Sequence, residues 1–276
     1  MQTDDANQSL RETCAWLWSG ATFEPTAGMP VADRGFRYGM SVFESFPVRN
    51  GVGHFLAEHL KRLGDACDAT GLIAAPEALA QCETILKQAH DGFGRIYVTA
   101  GDGTVTGACD EGRVLVMVEP REPAPARVYH RGYDIGLHSA GHVPVFGGIK
   151  TGNYWANLKA FREGVAAQRN ETLLFTPAGH LISACMANVF VVRDGILQTP
   201  DHTTGARPGV VREWVMRHAS VQETLLTRAD VEAADEVFLT SSWLGVMPAA
   251  SLEDRPLQRT VSAQLLDAWR KDIEPR

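Results

Sequence analysis

Three prolines fall within eight residues at 119–126, in the string EPREPAPA. Proline has no backbone N–H and a fixed φ, so neither a helix nor a central strand runs through such a stretch. A chain of 276 residues is long enough for two cores, and this break is where it would divide. The expected organisation is a flexible tail over 1–14, a small N-terminal α+β domain over 15–120, a linker over 121–126 and a large C-terminal domain over 127–276 that carries Lys150. Hydrophobic residues at 45% supply a core without cross-links.

On the N-terminal side, 15–24 and 42–49 read as strands rich in aromatic and β-branched residues, with a hairpin turn at Gly51 and Gly53. A helix is expected over 57–69, where Leu60, Leu63, Ala66 and Cys67 recur at three and four. A second helix is expected over 76–90. Strands at 95–99 and 113–119 flank a glycine-rich turn, 101–107. On the C-terminal side, strands are expected at 133–138, 171–176, 188–193 and 236–240, with turns at Pro177–Gly179 and Asp194–Gly195. Helices are expected at 154–168, 208–218 and 261–271. Strands and helices mix without regular βαβ alternation, so the fold class is α+β and not a doubly wound sheet.

Several function classes are excluded early. The net charge of −7 and the lack of a long Lys/Arg run argue against nucleic-acid binding. The apolar runs, such as Val114–Val118, are too short to span a bilayer. The polar, acidic start MQTDDANQSLRE does not read as a signal peptide, and a cytoplasmic location is expected. Five cysteines without a Cys-x-x-Cys spacing fit a reducing compartment and speak against a zinc site. His54 and His59 lie five apart across a strand-to-helix junction without companion ligands, so no metal is expected.

Single residues give weak signals. Lys150 follows a glycine pair just ahead of a helix, where a shielded amine could form Schiff bases with aldehydes; alone, it reads more often as a solvated lysine. Arg62 offers a fork suited to phosphate, but arginines are common on helix surfaces. Gly209-Val210-Val211-Arg212 opens a helix and could present free N–H groups to an anion. Thr240-Ser241-Ser242 ends a strand with three hydroxyls and could complete a phosphate cup, or be a solvated turn.

Their order along the chain adds what no single residue carries. The strings Asp33-Arg34-Gly35-Phe36-Arg37-Tyr38-Gly39, Val42-Phe43-Glu44, His59-Leu60-Lys61-Arg62-Leu63, Lys150-Thr151-Gly152-Asn153-Tyr154, Ala187-Asn188-Val189-Phe190, Pro208-Gly209-Val210-Val211-Arg212 and Glu236 to Ser242 follow one another. Over about residues 15 to 260 the chain resembles the class IV aminotransferases, the fold-type IV pyridoxal-phosphate enzymes. These include branched-chain and D-amino-acid aminotransferases and 4-amino-4-deoxychorismate lyase. The resemblance implies a two-domain fold, pyridoxal 5'-phosphate as cofactor, a small-molecule amino substrate and a homodimer. It implies that Lys150 carries the cofactor as a Schiff base and moves the substrate's α-proton. Arg62, the backbone of Val210 and Val211, and Ser242 would bind the cofactor phosphate. Tyr154 would meet the phenolic oxygen, Asn188 belongs to the cofactor site, and Tyr38 and Arg95 would shape the substrate pocket, Arg95 towards a carboxylate.

One position departs from the family. Five residues before the asparagine of the Asn-x-Phe string the family usually places a glutamate that pairs with the pyridine nitrogen; here Ser183 stands there. A carboxylate keeps that nitrogen protonated and the ring a strong electron sink, whereas a hydroxyl can donate to a neutral nitrogen. Ser183 is therefore expected to slow transamination and favour elimination, unless another acid takes its place or the protein keeps only cofactor binding. The first reading is an aminotransferase acting between an amino acid and a 2-oxo acid. The alternatives are elimination of the 4-amino-4-deoxychorismate lyase type, releasing pyruvate, and a non-catalytic binding protein. The stretch Ala184–Asn188 is similar to the lyases, and Tyr154 is similar to the transaminases.

Overall fold

A computed structural model describes residues 13–273 except Asp110 and Val145. The expected tail lies outside the described residues up to residue 12, and Cys14 already belongs to a strand. Compactness divides the chain into two units. The first runs to Glu122 and also takes in Ile149–Asn153. The second comprises Pro123–Gly148 and everything from Tyr154 onward.

The first unit contains β1 (Cys14–Trp18), β2 (Phe23–Pro25), α1 (Arg34–Tyr38), β3 (Ser41–Arg49), β4 (Val52–Gly53), α2 (Leu56–Thr70), α3 (Pro76–Leu86), β5 (Gly92–Thr99) and β6 (Arg113–Pro120). Its sheet runs β2-β1-β6-β5-β3-β4 with every pair antiparallel. The single strand expected over 15–24 is a hairpin, turned at Gly20 with φ +97°. The β3–β4 turn uses Asn50 and Gly51, both at positive φ, which matches the right-handed twist of the flanking strands. Alternate residues of β3, β5 and β6 enter a core that also receives Leu63, Ala66 and Cys67 of α2 and Ala78, Cys82 and Ile85 of α3.

Helix α1 is absent from the sequence reading because five residues carry no period. Asp33 caps it, accepting from the N–H groups of Gly35 and Phe36. Arg34 is buried within it and donates to the carbonyls of Ala100, Gly101, Gly107 and Ala108. One guanidinium thereby orders the glycine-rich turn between β5 and β6.

The second unit contains α4 (Ala126–Arg131), β7 (Tyr133–Gly141), α5 (Trp155–Ala166), β8 (Glu171–Phe175), β9 (Leu181–Ala184), β10 (Asn188–Arg193), β11 (Ile196–Pro200), α6 (Val210–His218), β12 (Gln222–Thr224), α7 (Arg228–Glu232), β13 (Glu236–Ser241), β14 (Gly245–Leu252), β15 (Arg255–Pro256) and α8 (Thr260–Ile273). Its sheet runs β12-β11-β10-β13-β14-β7-β8-β9, with β15 on β14. The pairs β7–β8, β7–β14 and β11–β12 are parallel, so the sheet is mixed. Helix α8 starts where buried Glu236 accepts from the N–H groups of Thr260, Val261 and Ser262, satisfying donors that have no partner within the helix. Among the described residues no helix is long and apolar enough to cross a membrane.

Helix α5 packs on β8 through Gly164. A Cβ there would lie 2.0 Å from Thr172 Oγ1. Gly164→Ala is therefore expected to lower stability by about 1–3 kcal/mol, despite alanine's better helix propensity. Thermal unfolding checks it: the double variant Gly164→Ala/Thr172→Ala should recover most of the loss, and no recovery would remove this clash as the cause.

Candidate active site

The lysine segment is held against β3. Phe43 N–H donates to Lys150 O at 2.9 Å, Gly152 N–H donates to Ser41 O at 2.8 Å, and Asn153 Nδ2 donates to Gly39 O at 3.1 Å. Val42 and Thr151 form an isolated bridge. These bonds group Ile149–Asn153 with the first unit. Lys150 was expected in the C-terminal domain, and this is corrected: local backbone pairing, which composition does not reveal, places it beside β3. Gly39 has to be glycine here, because its φ is +69° and a Cβ would stand 2.4 Å from Asn153 Oδ1. The Lys150 amine lies 5.0 Å from the centroid of the Phe43 ring, which stacks on Tyr97 at 5.2 Å.

Behind that face Arg62 is anchored by a buried carboxylate. Its Nε donates to Glu44 Oε1 at 2.7 Å and its Nη2 to Glu44 Oε2 at 2.5 Å. His59 Nδ1 lies 2.7 Å from the same Oε2. Burial works against charge on Glu44, but the Arg62 guanidinium and the hydrogen bonds from His59 and Arg62 outweigh it and hold the carboxyl down at about 2. Burial lowers the His59 pKa, against the pull of Glu44, so His59 is the neutral donor here and not an ion-pair partner. The planar fork of Arg62 is thus fixed before any ligand arrives. Glu44 and His59 stand in the quoted strings without an expected role of their own. The available signal was a carboxylate on the apolar parity of β3, among Val42, Phe46 and Val48.

Of the other residues expected in this unit, Tyr38 ends α1, is 40% exposed, and has the Arg37 guanidinium 4.8 Å from its ring centroid. Arg95 lies on β5, opposite Ser45 of β3, and pairs with Glu119.

In the second unit Asn188, Val210, Val211 and Ser242 converge on one end of the sheet. Asn188 Nδ2 donates to Arg207 O at 2.8 Å. Its Oδ1 packs against Gly209, where a Cβ would stand 1.9 Å away, so the backbone approaches as closely as only glycine allows. Gly209 opens α6 without a side-chain cap, leaving the first N–H groups, at Val210 and Val211, at the positive end of the helix. Asn188 pairs with Thr240 of β13, which leads into Ser241 and Ser242; Ser241 Oγ accepts from Leu244 N–H at 3.1 Å. Thr240 Oγ1 is buried and has no hydrogen-bond partner. An orphaned hydroxyl beside an uncapped helix start and a glycine cradle fits a phosphorylated ligand. Tyr154 stands at the N-cap of α5.

Ser183 lies in β9 opposite Leu174, partly exposed. Glu171 is the acid on β8, three residues from Leu174 and so on the alternate parity to Ser183. Its Oε1 accepts from the N–H groups of Thr172 (2.9 Å) and Cys185 (3.1 Å), and its Oε2 from Met186 N–H (3.0 Å). Burial pushes its carboxyl up to about 7 against those three donors. Both oxygens are committed to holding the turn after Ser183. Among the described residues no group of three or more His, Cys, Asp or Glu could hold a metal ion.

A family model described as amino-transferase class IV matches residues 41–252. The chain belongs to the class IV aminotransferase family, a family of enzymes. It is 28% identical to the aminodeoxychorismate lyase of Bacillus subtilis over 271 residues, covering 91% of this chain and 92% of that one. The solved 4-amino-4-deoxychorismate lyase of Pseudomonas aeruginosa superposes with a TM-score of 0.84 at 27% identity, covering 94% of this chain and 99% of that one. A branched-chain aminotransferase from Thermoproteus uzoniensis, solved with norvaline, superposes with a TM-score of 0.83 at 21% identity, covering 94% of each, and shows the shared fold. The α+β expectation is met, and the fold is the one these enzymes share.

Proposed function

We propose that the protein is a pyridoxal-phosphate enzyme that uses Lys150 to eliminate a group from an amino substrate, in the manner of the aminodeoxychorismate lyases. This reverses the order in which the sequence alone ranked elimination and transamination. The observation that carries it is Ser183: a hydroxyl stands at the family's glutamate position, and the acid on the partner strand, Glu171, lies on the alternate parity to Leu174, the residue opposite Ser183, and is committed to three backbone N–H groups.

Pyridoxal phosphate, when bound, supplies an aldehyde for amines and a ring that withdraws electrons from the carbon bearing the substrate's nitrogen. Arg62, the N–H groups of Val210 and Val211, and the Ser242 hydroxyl would hold its phosphate, and Asn188 would keep the α6 start in place. The Lys150 amine would carry the cofactor and then move the substrate proton. Tyr154 would donate to the phenolic oxygen. Ser183 would donate a hydrogen bond to the pyridine nitrogen without protonating it. A neutral ring stabilises a carbanion less well, which handicaps transamination more than elimination, where the leaving group carries the electron pair away.

The match to the Bacillus subtilis lyase, which covers 92% of that protein, supports the same reading. Phe36, 71% exposed, and Tyr38 offer apolar surface that supports a homodimer. The small polar substrate such a site takes fits a cytoplasmic enzyme.

The test offers amino donors to the cofactor-loaded protein and follows keto acid against eliminated pyruvate. Pyruvate from an enolpyruvyl-bearing amine, with slow transamination, is expected. Ser183→Glu should raise transamination by about tenfold, roughly 1.4 kcal/mol of barrier. An unchanged or lower transaminase rate would remove Ser183 as the reason.

A further inference from the structure

One face of the first unit's sheet carries a charged pair that the proposed reaction does not use. Along β5 and β6, Ile96, Val98, Val116 and Val118 are buried in the core, while Arg95, Tyr97, Met117 and Glu119 on the alternate parity are only partly covered. The register sets these in rows: Phe43 beside Tyr97, then Ser45, Arg95 and Met117, then Phe93 and Glu119. The first row is the one beneath the Lys150 amine. Arg95 therefore shares its face, two residues or about 7 Å further along the strand. Its guanidinium pairs with Glu119, a diagonal neighbour, and lies 4.8 Å from the Phe93 ring centroid.

We propose that Glu119 is a specificity-determining residue, which by pairing with Arg95 weakens the hold of this face on a second, distal carboxylate of the substrate. The inference rests on the reading that substrate amines meet Lys150. An unpaired guanidinium at this distance would grip such a carboxylate in two hydrogen bonds, and would penalise an apolar group that covered it. Paired with Glu119 it is neutralised. An acidic substrate then exchanges one carboxylate for another, and an uncharged substrate covers a neutral pair beside aromatic rings. The side chains are 23% and 30% exposed, so water and ligand reach both partners and the exchange needs no unfolding. The face then tolerates an acidic group, the carboxylate of an enolpyruvyl-bearing amine included, without requiring one, and an uncharged far end is accepted as well.

Calorimetric titration of the protein, after addition of pyridoxal phosphate, with glutarate and with pentanoate tests this. The two probes have the same chain length and differ in one carboxylate. Glu119→Gln should bind glutarate about tenfold more tightly than the wild type and pentanoate within twofold. Adding Arg95→Met should abolish the gain. Equal tightening of both probes would mean a general charge effect and overturns the proposal. So does unchanged glutarate affinity, or no glutarate binding by either protein. Borohydride labelling of Lys150 in the same samples reports separately on the cofactor reading: label present with no glutarate effect sinks the role of Glu119 alone, and label absent sinks the cofactor reading.

Discussion

Lys150→Ala is expected to abolish the borohydride-fixed cofactor label and to lower turnover by at least about 10³-fold, because on the proposed function it removes both the amine and the proton carrier. The fold should survive. The segment is held through Lys150 O, Gly152 N–H and the Asn153 side chain, none of which the substitution touches. Pyridoxal phosphate should still bind, though weakly, through the phosphate-binding groups, and absorb as free aldehyde. Peptide mapping after borohydride reduction decides the matter. A label that persists on another lysine in the variant, with turnover intact, would move the reaction away from Lys150.

Glu44→Ala should cost about 3 kcal/mol of stability and also weaken cofactor retention. The substitution leaves the Arg62 guanidinium and the His59 N–H without their buried acceptor, and breaking a buried ion pair costs roughly 3–5 kcal/mol. Arg62 keeps some contact with water, at 16% side-chain exposure, which places the loss at the low end. The pH dependence gives a second check. The carboxyl is held down from 4.5 to about 2 in the folded protein. Its contribution is therefore complete above the unfolded value of 4.5 and is lost as pH falls through about 2. A drop from 4.5 to about 2 corresponds to about 3 kcal/mol. Denaturant unfolding at pH 7 and pH 3 should show wild type and Glu44→Ala converging towards acid. A difference that stays constant with pH would mean that the loss is one of packing and not of charge. Loss of cofactor affinity without loss of stability would leave Glu44 as a device that orients Arg62 and nothing more.

Much of the proposed site is readable in the sequence because chemistry leaves ordered strings. Arg62 sits within the periodic pattern of α2, between Leu60 and Leu63, and Gly209 marks a helix start that only glycine fits. Asp194–Gly195 is a turn whose residues tolerate positive φ; the hairpin turn expected at Gly51 and Gly53 falls on Asn50 and Gly51, with Gly53 already in β4. The departure at Ser183 was legible too, since counting back from Asn188 needs no coordinates. What composition could not show was pairing. Glu44 and His59 lie fifteen residues apart and meet only because α2 packs on β3. Glu171 reaches Cys185 and Met186 across two strands and a bulge. Arg34 looks like a surface residue in its string and is buried under four carbonyls from a loop some seventy residues away.

By itself, then, the sequence determined the α+β class and the family, because these follow from local backbone preference and from residue types in fixed order. The tertiary structure alone decided which body holds Lys150, what fixes the fork of Arg62, and which backbone groups Glu171 holds. Those outcomes depend on contacts between segments far apart in the chain. Their free energy comes from desolvation and from hydrogen-bond geometry, and neither exists until the strands are paired.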